Sequence, residues 1–455
     1  MAKNRDTVFL GHPSGLGWLA GSEFWERFSY YGMANMLVLY MVHQLLMPGH
    51  IEHVAGMGLF QSFVAIFYGD AQGQALASHI SGVYQMSVYV TPLLGGFLAD
   101  RLLGKTAAVT IGALMMAFGH FLMAFDAGFV LALLFLLAGV GLFKGNIAAQ
   151  VGDLYGDKDP RRADGFQIYY VGIQLAVIIS PFICGTLGET VGWHWGFGAA
   201  GVGMVIGGMT YLIGRSRGAL PKEKMQNGHL VRPELTARGW RTVIMLAILV
   251  PILALSLVGN QEIFNSYTVW AEKNFQLVFF GKTMPVTWLM SLDAVFSAVL
   301  ITLSVLFWRW YARHWREPDE IGKMCIAIVI CACAPLTLAL ASAEVARTGH
   351  PVSLAWALAF HLINDLGFSN LLPIGLALYS RAAPKGWEGV LVAVYYLQFA
   401  TANFLVGYLA GLLETMPGFN FWMLHVGVMM ISFVLLFVIR KTAGKMLAPD
   451  YAAPA

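Results

Sequence analysis

Three ionisable residues lie close together in one apolar stretch near the start of the chain: Glu23, Glu26 and Arg27. On a helix, spacings of three and four residues place Glu23 on the same face as Glu26 and Arg27. Two carboxylates beside one guanidinium leave a net negative charge, and their mutual repulsion favours uptake of a proton. The trio therefore predicts a proton-binding site. A structural ion pair that never titrates is the alternative interpretation.

Three further charged residues interrupt apolar stretches: Lys144, Glu262 and Asp293. A buried lysine needs an acid or a substrate anion as its partner, although Lys144 could also extend its amine to the membrane surface. Glu262 and Asp293 are candidate partners, as are the acids of the first helix, but either could be a plain polar packing residue. Three histidines, one in each of three apolar stretches, are predicted to be satisfied core residues rather than proton relays: His120, His361 and His425.

Tyrosines form clusters within four of the apolar stretches, at Tyr30, Tyr31, Tyr84, Tyr89, Tyr169, Tyr170, Tyr395 and Tyr396. Tyrosine in lipid favours the interface, so tyrosines in mid-stretch indicate the lining of a polar cavity, with helix packing as the alternative. The four cysteines show no metal-binding or pairing pattern and are predicted to be small apolar packing residues.

The composition shows which elements must position these residues. The 455 residues are 58% hydrophobic and 12% charged, with a mean hydropathy of +0.66. A soluble domain carries about 25% charged residues, so this chain belongs in a bilayer. Twelve stretches are long enough to cross the membrane, at 14–46, 78–100, 105–125, 128–151, 163–186, 191–214, 241–270, 284–311, 319–343, 352–381, 387–413 and 419–441. Residues 55–68 are apolar but short, which favours an interfacial segment.

The distribution of Lys and Arg predicts the orientation of the chain. Of the 28 basic residues, 23 fall on one side, with both termini. Both termini are therefore predicted to be cytoplasmic. The polar, basic linker 215–240 separates a six-helix bundle at 1–214 from a second at 241–455, as in two-bundle transporters. Short loops favour a bacterial inner membrane, and we expect a monomer.

Longer motifs give the resemblance. The stretch from Glu23 to Gly32, EFWERFSYYG, resembles the helix 1 signature of the proton-dependent oligopeptide transporters. The segment 95–105, GGFLADRLLGK, resembles the helix 2–3 loop of the wider major facilitator superfamily. Further similarities to the oligopeptide transporters are Phe143-Lys144-Gly-Asn146 on helix 4, the stretch 164–175 on helix 5, and Pro373-Ile-Gly375-Leu376 with Ala383-Pro384 on helix 10.

This resemblance implies a major facilitator fold of twelve helices and proton-coupled import of di- and tripeptides by alternating access. It implies that Arg27, Lys144, Tyr30 and Tyr31 hold the substrate carboxylate, and that Glu23 and Glu26 carry the proton. Glu262 is assigned to proton coupling as well. Protons are the only coupling species implied, without a cofactor. The substrate cavity is expected between helices 1, 2, 4 and 5 and helices 7, 8, 10 and 11, with Tyr89 on helix 2.

The chain departs from the family at the end of the cavity that binds the peptide amino group. The family has Asn, Asn and Glu on helices 5, 8 and 10, where this chain has Gln174, Asp293 and Phe368. A Glu-Gln pair on helix 7 is reversed in Gln261-Glu262, and a helix 11 tryptophan is Tyr395. Either Asp293 or Glu262 now faces the ammonium, or the substrate is an N-modified, peptide-like metabolite.

Other classes of protein fit less well. A proton-coupled drug exporter would share the twelve spans and the 95–105 motif, but it would not be expected to keep the helix 1 signature together with Lys144. A transporter-like sensor would not need the residues of proton coupling. An enzyme would need a nucleophile with its base, or metal ligands, and no such motif is present in the sequence. Basic stripes with interleaved aromatic residues, typical of nucleic-acid binding, are also missing from the sequence.

Overall fold

The computed structural model describes residues 9–156, 159–221 and 235–447, and within them the chain is mainly helical. Its helices, in chain order, are α1 (Ser14–Tyr40), α2 (Met57–Tyr68), α3 (Gly73–Leu98), α4 (Lys105–Leu122), α5 (Phe129–Asp153), α6 (Arg161–Ser180), α7 (Thr186–Thr190), α8 (Trp193–Ser216), α9 (Ala237–Gln261), α10 (Ser266–Asn274), α11 (Trp288–Tyr311), α12 (Glu320–Thr348), α13 (Ala355–Ala382), α14 (Glu388–Ala410) and α15 (Gly418–Leu447). A short hairpin of β1 (Val278–Phe279) and β2 (Lys282–Thr283) precedes α11.

The helices have the length that a membrane requires. Within the described residues, nine are long and apolar enough to cross a bilayer. Three others, α1, α3 and α13, have 27, 26 and 28 residues but are more polar. Each predicted stretch contains one of these long helices, and the count of twelve membrane crossings stays a prediction. Helix α2 has only 12 residues, as expected for 55–68, which is too short to span about 30 Å of hydrocarbon.

The chain divides into two compact units. Unit 1 comprises Met1–Gly73 and Val90–Gly228, and unit 2 comprises Gln74–Tyr89 and His229–Ala455. The start of α3 therefore groups with unit 2, where the backbones of Gly82 and Gly407 on α14 approach too closely for a side chain at Gly82. Much of the predicted linker lies outside the described residues, and the division at 215–240 stays a prediction.

In unit 1, α1 is packed tightly against α8. Small residues recur along α8 at about every fourth position, which allows two helix backbones to approach closely. A Cβ atom added at Gly203 would lie 2.7 Å from Cδ1 of Phe28. Two hydroxyls of α1 donate across the contact, Ser29 Oγ to the Ala200 carbonyl at 2.7 Å and Ser22 Oγ to the Gly207 carbonyl at 2.9 Å. These contacts fix the rotation of α1 about its own axis.

In unit 2, the helix of the predicted span 241–270 is interrupted near its end. Helix α9 ends at Gln261, a single 3-10 turn covers Glu262–Phe264, and α10 begins at Ser266. The Glu262 side chain takes the place of a missing helical acceptor, because the Ser266 amide donates to Glu262 Oε2. The side chain of Asn265 connects the break to α3, where Nδ2 donates to the carbonyl of Ser78. Broken helices of this kind often form ion-binding and substrate-binding sites in transporters.

Candidate functional site

The first cluster of charged residues in the structure is the predicted trio on α1. Arg27 Nε lies 3.1 Å from Glu23 Oε1 and 2.5 Å from Glu26 Oε2, and Arg27 Nη2 donates to Glu26 Oε1 at 2.9 Å. All three side chains are buried. One guanidinium thus neutralises only one of the two carboxylates, and the trio retains the excess negative charge that the sequence predicts.

Side chains from three helices surround Arg27. The guanidinium carbon lies 5.4 Å from the ring centroid of Tyr30, and the guanidinium donates a hydrogen bond to the hydroxyl of Tyr31. From α6, Tyr169 donates a hydrogen bond to Glu23. From α5, the amine of Lys144 is close enough to interact electrostatically with all three members of the trio. The structure therefore brings together the four residues expected at the substrate carboxylate.

A second buried cluster lies in unit 2, around the break between α9 and α10. His425 Nε2 on α15 lies 2.8 Å from Glu262 Oε1, and Ser266 Oγ donates to Glu262 Oε2. Both Glu262 and His425 are fully buried. Glu262 therefore has a partner on another helix, which a packing role alone would not need.

The other nitrogen of His425 determines how many protons this pair holds. His425 Nδ1 lies 2.9 Å from the carbonyl oxygen of Phe421, and because a carbonyl can only accept, Nδ1 carries a hydrogen. The contact between His425 Nε2 and Glu262 then also needs a hydrogen, either from imidazolium or from a protonated carboxyl group. The pair consequently holds one proton more than a neutral imidazole beside a carboxylate.

A third cluster in unit 2 connects α10, α11 and α13. The Tyr267 hydroxyl lies 2.8 Å from His361 Nε2, and His361 Nδ1 lies 2.7 Å from Asp293 Oδ1. The carboxyl group of Asp365, on α13, is hydrogen bonded to Asp293. Tyr267, His361 and Asp365 are buried, whereas the Asp293 side chain is 18% exposed. Asp293 is therefore the accessible end of the cluster.

The remaining predicted substrate residues differ in their exposure. Gln174, on α6, and Phe368, on α13, are both partly buried. The ring of Tyr89 stacks on Phe399 within unit 2, with centroids 5.1 Å apart. The hydroxyl of Tyr395 donates to the Leu372 carbonyl at 2.7 Å, and its side chain is buried. A substrate contact by Tyr395 stays a prediction.

The three histidines predicted to be satisfied core residues have different surroundings. His361 and His425 each contact a buried or half-buried acid, whereas Nδ1 of His120 has no hydrogen-bond partner among the described residues. The sequence interpretation also missed Asp365. The signal was available, because Asp365 is an acid inside a span and lies four residues after His361, on the same helical face. The four cysteines are free, and three are buried as expected, while Cys333 is exposed.

Comparison with known proteins gives the family. A family model described as the POT family matches residues 106–231 and 238–423. An uncharacterised transporter of Bacillus subtilis is 28% identical, over 90% of this chain and 90% of its own length. A peptide transporter of Yersinia enterocolitica is also 28% identical, over 89% of this chain and 88% of its own.

Solved structures support the same fold. A crystal structure of a peptide transporter POT in complex with sulfate superimposes with a TM-score of 0.81. It is 24% identical and covers 97% of each chain. The chain thus has the major facilitator fold predicted from the sequence, a mainly helical integral membrane architecture.

Proposed function

Because the chain belongs to the POT family, a family of peptide transporters, we propose that it imports small peptides or peptide-like compounds together with protons. The chain is a multi-pass membrane protein and not an enzyme. Transport by alternating access, residence in the bacterial inner membrane and cytoplasmic termini belong to the same proposal, as do a monomeric state and the absence of a cofactor other than protons.

The observation that carries the proposal is the electrostatic interaction of Lys144 with Glu23, Glu26 and Arg27. Two acids and two bases in one buried cluster are neutral only as a group. A substrate carboxylate that binds Arg27 and Lys144 adds a negative charge, and one proton on Glu23 or Glu26 restores neutrality. Because an unbalanced charge in the bilayer costs at least ~2.5–3.5 kcal/mol, substrate anion and proton are expected to bind together.

Arg27 is well suited to hold a carboxylate. The guanidinium presents planar donors, and its contact with Tyr30 keeps that plane in one orientation. Lys144 adds a compact positive charge from a second helix, and Tyr31 adds a hydroxyl. In this arrangement the substrate carboxylate replaces part of the contact that Arg27 now makes with Glu26, so substrate binding makes Glu26 available for a proton.

Of the two acids proposed for the substrate ammonium, Asp293 is the better supported. Both oxygens of Glu262 are engaged, by His425 and Ser266, and the side chain is fully buried. Asp293 contacts His361 and Asp365 but retains 18% of its side-chain surface, so a ligand can still reach it. We therefore assign Asp293 to the ammonium and Glu262, with His425, to the proton. Gln174, Phe368, Tyr89 and Tyr395 complete the proposed substrate-binding set.

The driving force is sufficient for uptake. A membrane potential of 100 mV contributes ~2.3 kcal/mol for each charge moved, and one pH unit contributes about 1.4 kcal/mol for each proton. One proton carried with a zwitterionic peptide would sustain about a 50-fold gradient from the potential alone.

Uptake into proteoliposomes tests the proposal. An inward proton gradient is imposed, and labelled dialanine is offered with competitors that are free, N-acetylated or C-amidated. Gradient-dependent accumulation of dialanine, with competition by free dipeptides only, is the expected result. Equal uptake with and without the gradient would contradict proton coupling.

A second candidate is an N-modified, peptide-like substrate. It is favoured by Phe368, a partly buried apolar side chain where the family has a glutamate. In that case the N-acetylated competitor is effective and free dialanine is ignored. An exporter of drugs would show neither pattern of competition.

A further inference from the structure

We infer that Asp293 and Asp365, supported by His361 and Tyr267, form a second proton-binding site in unit 2, separate from the α1 trio and from Glu262. The site takes a proton on a pair of carboxyl groups. Its existence rests on the geometry of unit 2, and only its part in transport rests on the proposed function.

The contact between the two aspartates requires a proton. Two carboxylates that are both ionised have no hydrogen to share and repel each other, so a hydrogen bond between the carboxyl groups of Asp293 and Asp365 needs one of them protonated. His361 cannot satisfy both acids, because its Nδ1 contacts Asp293 and its Nε2 contacts Tyr267.

Among the described residues, no lysine or arginine is paired with either aspartate, and His361 is the only basic side chain in contact with Asp293. The titratable neighbours are Asp293 on α11, Tyr267 on α10, His361 on α13 and the thiol of Cys331 on α12. In the described part of the chain, α9 and α14 also pack against α13 but contribute no lysine or arginine to either aspartate. The rings of Phe360 and Tyr267 stack beside the cluster, at a centroid distance of 4.8 Å. In such apolar surroundings a pair without a proton would carry two negative charges, of which an imidazolium at His361 could offset only one.

Unused hydrogen-bonding capacity remains on the buried side of the pair. Among the described residues, Asp365 Oδ2 has no hydrogen-bond partner, although Asp365 is only 1% exposed. Both side-chain polar atoms of Asn364 are likewise buried without a partner. A protonated Asp365 would lower the cost of this burial, because a neutral carboxyl group loses far less solvation energy than a carboxylate.

The members of the site differ in solvent exposure, which indicates the side from which a proton enters. Asp293 is the half-buried member, and Asp365, His361 and Tyr267 lie behind it. A proton therefore enters at Asp293 and is held between the two carboxyl groups, while the Tyr267–His361 pair fixes the orientation of Asp293. His361 and Tyr267 are positioning residues in this scheme. Chains of Asp, Glu and His inside transporters commonly carry protons.

Infrared difference spectroscopy tests the site without any substrate. The purified full-length protein is titrated with pH, and the stretching band of protonated carboxyl groups is compared between the wild type and Asp365→Asn. The expected result is the loss of one protonated carboxyl band in the variant. Identical bands in the two proteins at every pH would overturn the proposal. Asp293→Asn provides the same comparison should Asp365→Asn fail to fold.

Transport tests the coupling separately. Each coupled proton contributes about tenfold accumulation per pH unit, so Asp365→Asn should accumulate dialanine about tenfold less than the wild type across one pH unit. His361→Gln should show a shifted pH profile, whereas His120→Gln, which removes a buried histidine of unit 1, should not. If the infrared band disappears and accumulation is unchanged, the site holds a proton that is not coupled, and the coupling is refuted. If the wild type transports no peptide at all, the infrared result still stands and the proposed function fails.

Discussion

His425 Nε2 lies 2.8 Å from Glu262 Oε1, while His425 Nδ1 faces the carbonyl of Phe421 at 2.9 Å. These contacts link α15 to the turn that separates α9 from α10. The positions of the two acceptors around the His425 ring require the His425–Glu262 pair to hold one proton. A carbonyl cannot donate, so the hydrogen on Nδ1 is fixed and the contact with Glu262 needs another. The pair is fully buried, and each member depends on the other.

Removal of one member of this pair should therefore destabilise the protein strongly. His425→Leu leaves Glu262 buried without its partner, at an expected cost of about 3–5 kcal/mol. The double variant with Glu262→Gln should recover most of that loss, because no charge remains. Thermal unfolding in detergent measures the stability of the single variant and of the double variant. His120→Leu, at a buried histidine that contacts no acid, is the control and should cost less. Additive effects in the double variant would contradict the pairing.

Glu26→Gln should abolish proton-driven accumulation of dialanine. The amide keeps the size of the side chain and resembles the protonated acid, so the cluster balances the charge of a bound substrate carboxylate without taking up a proton. Exchange of substrate across the membrane without a gradient should decline less than accumulation. Glu344→Gln, at an exposed acid paired with Arg347, is the control and should behave as the wild type. Accumulation at the wild-type level in Glu26→Gln would refute the role of Glu26.

Arg27→Lys should weaken binding of substrates that have a free carboxylate. Arg27 contacts both acids through Nε and Nη2, and a lysine amine cannot reproduce that planar geometry. A hydrogen bond to a charged group contributes about 1.5–3 kcal/mol, so KM should rise about ten- to hundredfold. Uptake kinetics measure the change. An unchanged KM would show that Arg27 serves only to hold α1 together.

Asp293→Asn should distinguish substrates by their amino group. Loss of the carboxylate removes the proposed partner of the ammonium, so inhibition constants of free dipeptides should rise about tenfold or more. Those of N-acetylated dipeptides should change much less, because they carry no ammonium. Competition assays with matched pairs of peptides measure the difference. A similar change for both kinds of peptide would place the ammonium elsewhere.

Gly203→Ala should destabilise the contact between α1 and α8. The added methyl group would lie 2.7 Å from Cδ1 of Phe28 and 3.1 Å from Oγ of Ser29, and such overpacking costs about 1–3 kcal/mol. Gly198→Ala on the same helix meets no atom within 4 Å and serves as the control. Alanine there should be neutral or stabilising by up to about 1 kcal/mol, because it favours helix more than glycine does. A lower Tm for Gly198→Ala than for Gly203→Ala would contradict the packing described here.

The two units differ in how much of their site could be predicted from sequence. The α1 trio lies within five residues of one helix, so its spacing alone defines the face and the contacts between Glu23, Glu26 and Arg27. The partners in unit 2 come from different helices, and Glu262 and His425 are 163 residues apart in the chain. No local periodicity links them. The break at Glu262–Phe264 was likewise hidden, because it contains neither proline nor glycine and helix follows on both sides.

Proton movement driven by substrate tests the central claim most directly. Full-length protein is reconstituted into liposomes that contain a pH-sensitive dye and have a membrane potential that is negative inside, and dialanine is added outside. Coupled import predicts acidification of the lumen in the wild type and none in Glu26→Gln. Entry of labelled dialanine through the wild-type protein without acidification would contradict the account, because the peptide would then move without a proton.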